Sequence, residues 1–247
     1  MRKYVIVLLL CITLGITGYD LYGNWQEKKL NEEIHDIYED ARMEDEIRES
    51  TITAPTETED TNDNKDKFKE LLRINDDIIG WITIPNTTID YPVVQGTDND
   101  FYLKHNVRKQ ENKAGSIFLD FRNKTNELSK NTIIYGHYMK NKTMFYDLVK
   151  YKDQQFYNDN RIIHFSTLQE DMEWEIFSVY ETDISFNYIK ESFASRDEFA
   201  RFLDTINNKS MYPNDTTVSI DHNILTLSTC SYIFDNARLV VHAKRIS

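Results

Sequence analysis

Three residues of types that support acyl transfer stand at the ends of strand-patterned sequences: Cys230, His137 and Arg238. Ile224-Leu225-Thr226-Leu227-Ser228-Thr229-Cys230 alternates branched and apolar residues, the pattern of a strand, and it ends on a thiol. After a short loop, Arg238-Leu239-Val240-Val241 opens a second strand on a guanidinium. Side chains two apart share a face of a strand, so Ser228 and Cys230 point one way and Leu225 and Leu227 the other. A thiol is a nucleophile only as thiolate, and it needs a proton acceptor or a cationic neighbour to become one. A buried, inert thiol is the ordinary alternative for a lone cysteine, and the strand pattern alone leaves both open.

The sequence has six histidines as possible proton carriers. His35 lies in a charged helical stretch and His222 in a polar turn, so both are expected to be solvated. His164 and His242 fall inside strands, where a structural role is the simpler reading, and His105 is left open. His137 differs because it closes Asn131-Thr132-Ile133-Ile134-Tyr135-Gly136-His137, a strand ending in a glycine that allows close backbone approach. Strand ends and loops are where catalytic groups concentrate.

The elements that must position these groups follow from composition and patterning. Apolar residues make up 40% of 247, which is enough for a real core, and the 7 Gly and 4 Pro argue against a low-complexity chain. The formal net charge of -12 disfavours nucleic acid, whose binders present basic faces. Only two cysteines occur, Cys11 in an N-terminal apolar run and Cys230 near the other end, so a disulfide scaffold is excluded. Arg2 and Lys3 precede that run, which extends from Tyr4 to about Tyr19. It reads as an uncleaved anchor at the short end of a membrane span, since no A-x-A cleavage site follows. The basic flank puts the body of the protein outside the cell, and Cys230 with it.

Three regions are expected. Residues 1–22 form a cytoplasmic tip and transmembrane anchor, residues 23–64 a juxtamembrane helix and an acidic Thr-rich linker, and residues 65–247 a globular domain. Within that domain strands are expected over 78–85, 88–95, 115–120, 131–137, 161–167 and 172–180, besides the two named first. Helices are expected at about 68–74, 142–151 and 195–207. Many strands and few short helices indicate a mostly β fold, a largely antiparallel barrel or sandwich.

The combination Thr226-Leu227-Ser228-Thr229-Cys230, then Arg238, with Tyr135-Gly136-His137 upstream, resembles the sortases, membrane-anchored cysteine transpeptidases of Gram-positive bacteria. Asp76 to Ile82, Ile89 to Gln95, Asn99 to Leu103, the helix between two late strands and Arg238 to Lys244 resemble class B in particular. The resemblance runs from about Phe68 to Ile246. It implies a closed sortase β-barrel with an N-terminal helix and a helix between two late strands.

It further implies roles. Cys230 would attack the carbonyl of the Thr in a C-terminal sorting signal, His137 would protonate the leaving amine and deprotonate the incoming one, and Arg238 would stabilise the oxyanion. A backbone N–H such as that of Ser231 would be a second oxyanion donor. Substrate contacts carried over by resemblance are Asn99 and Leu103 on one groove wall and Tyr188 and Ile189 on the loop preceding the late helix; Ser228 joins them by sharing the Cys230 face. Ile184 stands where some class B enzymes carry Thr. No cofactor and no metal is expected, and the implied partners are secreted proteins bearing a sorting motif and a peptidoglycan-precursor amine. A cysteine hydrolase or thiol protease on the same substrates, a pilin-polymerising sortase and a non-catalytic surface adaptor are the competing readings.

Overall fold

The computed structural model describes residues 2–51, 63–183, 185–213, 216–230 and 237–247, at some of them, Cys230 included, by the backbone alone. Eight strands close into one barrel: β1 (Ile78–Thr83), β2 (Asp90–Val94), β3 (Ile117–Leu119), β4 (Asn131–Gly136), β5 (Ile162–Thr167), β6 (Asp171–Thr182), β7 (Ile224–Cys230) and β8 (Arg238–Arg245). Their order around the barrel is β1-β2-β3-β4-β7-β8-β6-β5. Six of the joins are antiparallel and two, β2 with β3 and β4 with β7, are parallel. Full closure leaves no strand edge open to other chains.

The barrel interior is filled by inward-facing side chains such as Ile82, Ile134, Phe165, Trp174, Leu227 and Val241, all fully buried. The hairpin between β1 and β2 turns at Pro85-Asn86, with Asn86 at φ 61, a left-handed conformation that Asn tolerates better than most residues. The segment expected to be α-helical over 142–151 is instead a 3-10 helix, Phe145–Lys152. Phe145, Leu148 and Tyr151 are its buried apolar residues, and their spacing of three is the period of that helix. A short helix the sequence reading did not anticipate, α3 (Gln154–Asp159), follows it, with Asp153 accepting from the Phe156 N–H as N-cap. The helix α4 (Arg196–Asn208) agrees with expectation, whereas α2 (Asp63–Ile74) begins about five residues earlier than expected and takes in the last two residues of the expected linker; Ser195 caps α4, and Phe199, Phe202, Leu203 and Ile206 form its buried face.

The N-terminal stretch is one helix, α1 (Arg2–Thr51), where the sequence suggested an anchor followed by a separate juxtamembrane helix. The anchor itself is not supported, because among the described residues no helix is long and apolar enough to cross a membrane. The later part of α1 packs on the barrel. Ile34 is buried, and the Tyr38 ring stacks on Trp81 at 4.1 Å with planes 4° apart, in a cluster with Phe68 and Leu71 of α2. His35, expected to be solvated, contacts the Asp90 carboxylate at 3.0 Å, and Asp90 also accepts from the Trp81 indole N–H. The linker expected before the domain falls largely on residues 52–62, outside the described residues.

Candidate active site

Register brings the three chemical groups to one end of the barrel. In the parallel pair β4/β7, Gly136 lies opposite Thr229, so the residues that follow, His137 and Cys230, leave neighbouring strands at the same end. In the antiparallel pair β7/β8, Cys230 lies opposite Arg238, the first residue of β8. Ends of adjacent strands are only about 5 Å apart in the hydrogen-bonding direction. Residues far apart in the chain are thus neighbours because β7 inserts between β4 and β8.

These strand ends open into a groove of about 410 Å³. Asn99 and Leu103 line it together with Tyr188, Ile189, Ser228, His137 and Arg238, so every expected site residue with a described side chain meets there. The Cys230 side chain, the Ser231 N–H and Ile184 lie outside the described residues. Tyr135, Phe118, Phe186 and Asn187 also line the groove and were not among the expected contacts. Tyr135 had a readable signal, since it stands on β4 two residues before His137, which follows the strand's end.

Hydrogen bonds define several of these side chains. The His137 ring places Nε2 2.8 Å from the Leu103 carbonyl oxygen. A carbonyl can only accept, so Nε2 carries the hydrogen, and in the neutral ring Nδ1 is the basic nitrogen. Ser228 is buried and its hydroxyl pairs with the Tyr188 hydroxyl at 2.9 Å, which joins β7 to the loop after β6. Arg238 donates from Nη1 to the carbonyl of Ala237 at 3.0 Å.

Behind one wall lies a charged cluster that the sequence reading missed. The Asp120 carboxylate is fully buried and accepts from Arg122 Nε at 2.8 Å, Arg122 Nη2 at 2.7 Å, the Tyr135 hydroxyl at 2.8 Å and Asn99 Nδ2 at 3.1 Å. Burial raises the Asp120 carboxyl, but the Arg122 fork and the Tyr135 hydroxyl outweigh it and hold the group below the usual carboxylate range. Burial first, and Asp120 second, push the Tyr135 hydroxyl well above its ordinary value, so it stays protonated as a donor. Asn99 is fixed at both ends of its amide, since its Oδ1 accepts from the Phe121 N–H. Among the described residues no group of His, Cys, Asp and Glu could hold a metal ion.

A closed barrel that brings a histidine, an arginine and the strand end bearing a cysteine to one end defines a narrow class of protein. Residues 82–246 match the Sortase domain family. The chain is 35% identical to the sortase B of Listeria monocytogenes over 96% of both chains, and 40% identical to that of Staphylococcus aureus over 73% of this chain and 75% of the other. Among solved structures, a Staphylococcus aureus sortase B–substrate complex superposes with a TM-score of 0.80 at 33% identity, covering 92% of this chain and 99% of that one. Sortase B from Bacillus anthracis in complex with AAEK1 gives a TM-score of 0.78 at 39% identity, with the same coverage. The chain belongs to the sortase family, and within it to class B. That membership makes it a cysteine transpeptidase.

Proposed function

We propose that this protein cleaves a C-terminal sorting signal after Thr and transfers the new acyl end to the amine of a peptidoglycan precursor. In the first step the Cys230 thiolate attacks the Thr carbonyl carbon. A C–S bond forms, the peptide C–N bond breaks, and His137 gives a proton to the leaving amine. In the second step the acceptor nitrogen attacks the thioester and gives its proton to His137, and the C–S bond breaks to return Cys230. Arg238 donates to the oxyanion of both tetrahedral intermediates, a role suited to a permanently charged, directional guanidinium. Asn99, Leu103, Tyr188, Ile189 and Ser228 are proposed as walls for the sorting peptide.

The observation that carries this reading is the convergence of His137, Arg238 and the end of β7 on a single groove. The test uses the chain from Gly23 onward, which keeps Ile34 and Tyr38 against the barrel. Fluorogenic peptides with a fixed Thr are incubated with and without an amine acceptor. Product whose yield depends on the acceptor supports transfer; cleavage indifferent to every acceptor identifies a hydrolase, and joined pilin subunits a polymerising sortase. Loss of all turnover is expected in Cys230→Ala.

Anchoring of residues 1–22 in the membrane, with the catalytic domain from about residue 65 outside the cell, is a further proposal. It rests on the apolar run after Arg2 and Lys3. Extraction of the full chain from membranes by alkaline carbonate would count against it.

A further inference from the structure

The loop that follows β6 forms one wall of the groove, and its backbone is held from outside the groove. Arg122 Nη2 donates to the Ile189 carbonyl at 2.9 Å. Asn131 Nδ2 donates to the carbonyl of Lys190 at 3.0 Å and lies 3.4 Å from that of Tyr188. Three consecutive carbonyls are therefore caught by two side chains from β4 and the segment before it. Arg122 is itself held by the buried Asp120, which also fixes Asn99 and Tyr135 of the opposite side. Its Nη1 reaches Glu191 at 3.3 Å, next along the same loop.

We propose that Arg122 is a positioning residue that sets the width of the groove: seated on Asp120, it ties the Ile189 carbonyl to the wall that carries Asn99 and Tyr135. The inference rests on the groove's being the sorting-peptide site. A lone buried carboxylate would need only a counter-charge. The planar fork does more, since it grips both carboxylate oxygens and still has a donor for a carbonyl of the facing loop. A lysine ammonium would neutralise Asp120 but lacks that fixed set of directions. Losing a charged hydrogen bond that shapes the free groove weakens substrate and transition state alike, so KM carries the effect and kcat does not.

The test compares Arg122→Lys and Arg122→Gln with the wild type, as full chains in detergent. The probe is the best fluorogenic peptide selected from the fixed-Thr library. Both variants are expected to raise KM about tenfold with kcat within about twofold. Hydrogen exchange should quicken at the loop amides, that of Tyr188 above all, which bonds the Phe186 carbonyl, while barrel amides keep their protection. A wild-type KM in Arg122→Lys would show that Asp120 needs only a charge, and would overturn the proposal; so would a fall in kcat at constant KM. If Arg122→Gln fails to fold, Arg122→Lys decides alone. If the wild type turns over no library peptide, the proposed function falls, and loop exchange in Arg122→Lys still decides this point: unchanged loop protection overturns it.

Discussion

Replacing Gly136 with Ala tests how tightly the fold holds His137. A Cβ at residue 136 would lie 2.5 Å from Ile117 Cδ1 and 2.7 Å from both Cγ and Cδ2 of Phe145. The Ile117 methyl is the far end of a flexible chain and can turn away. The Phe145 Cγ cannot, because it sits next to its own backbone, and the Phe145 N–H donates to the His137 carbonyl at 2.9 Å. Relief of the clash must therefore move the segment that carries the histidine. Overpacking of this kind costs ~1–3 kcal/mol, and the loss of chain freedom in the unfolded state returns ~0.4–1 kcal/mol. The net cost of about 1–2 kcal/mol lowers Tm by ~2–8 °C in a chain of this size. A shift of about 1 Å at a proton-transfer group lowers rate by about a hundredfold. Calorimetry and turnover of the selected peptide read the two effects. A Gly136→Ala protein with wild-type Tm and wild-type kcat/KM would refute the reasoning.

Arg238→Ala is expected to lower kcat/KM by ~10²–10³-fold, the usual loss for one oxyanion donor, with Tm nearly unchanged because the side chain is only half-buried. Tyr38→Ala removes a buried ring stacked on Trp81 and should cost ~3–5 kcal/mol, seen as a lower Tm and as protease cleavage of α1 ahead of the barrel. Burial depresses His242 to about 3, and its ring nitrogens contact the hydroxyls of Thr226 and Tyr180, each at 2.8 Å. The unfolded chain takes up that proton near pH 6.5 and the folded one does not, so the contribution is present above 6.5 and is lost as pH falls toward 3. Denaturant melts should show a loss of ~1.4 kcal/mol per pH unit across that window. The slope should flatten in His242→Gln, and an unchanged slope there would assign the acid sensitivity to other groups.

Much of the barrel was legible because its strands alternate or run apolar between turn residues, as in Asn131 to Gly136 and Ile224 to Cys230. The 3-10 helix was misread because Phe145, Leu148 and Val149 also suit an α-helical face; the period of three emerges only once Tyr151 is seen to be buried and Val149 not. The continuity of α1 was missed because composition changes from apolar to charged near residue 22, and a change of composition is not a change of backbone; Asp20, Gly23 and Asn24 stand there. Without a proline, their summed helix penalties are small beside the cost of a new helix start. At the site, the types and strand-end positions of His137, Cys230 and Arg238 were readable, whereas the Asp120–Arg122 cluster was not. Its bonds run from the end of β3 to residues 189 and 191, and no local spacing encodes a contact of that range. The docking of Tyr38 on Trp81 was hidden for the same reason.

The insertion of β7 between β4 and β8 also has a consequence in time. The β4/β7 ladder joins segments separated by all of β5, β6 and α4, and closing so long a loop is entropically costly before any contact rewards it. Pairings of this range form late in folding and slowly. The strand end that bears Cys230 can meet the strand end that bears His137 only through that ladder. On the proposed roles, a nascent chain therefore carries its thiol without its proton carrier, and the pair is assembled in the same event that completes the barrel. If those roles hold, competence for acyl transfer is a report of barrel closure.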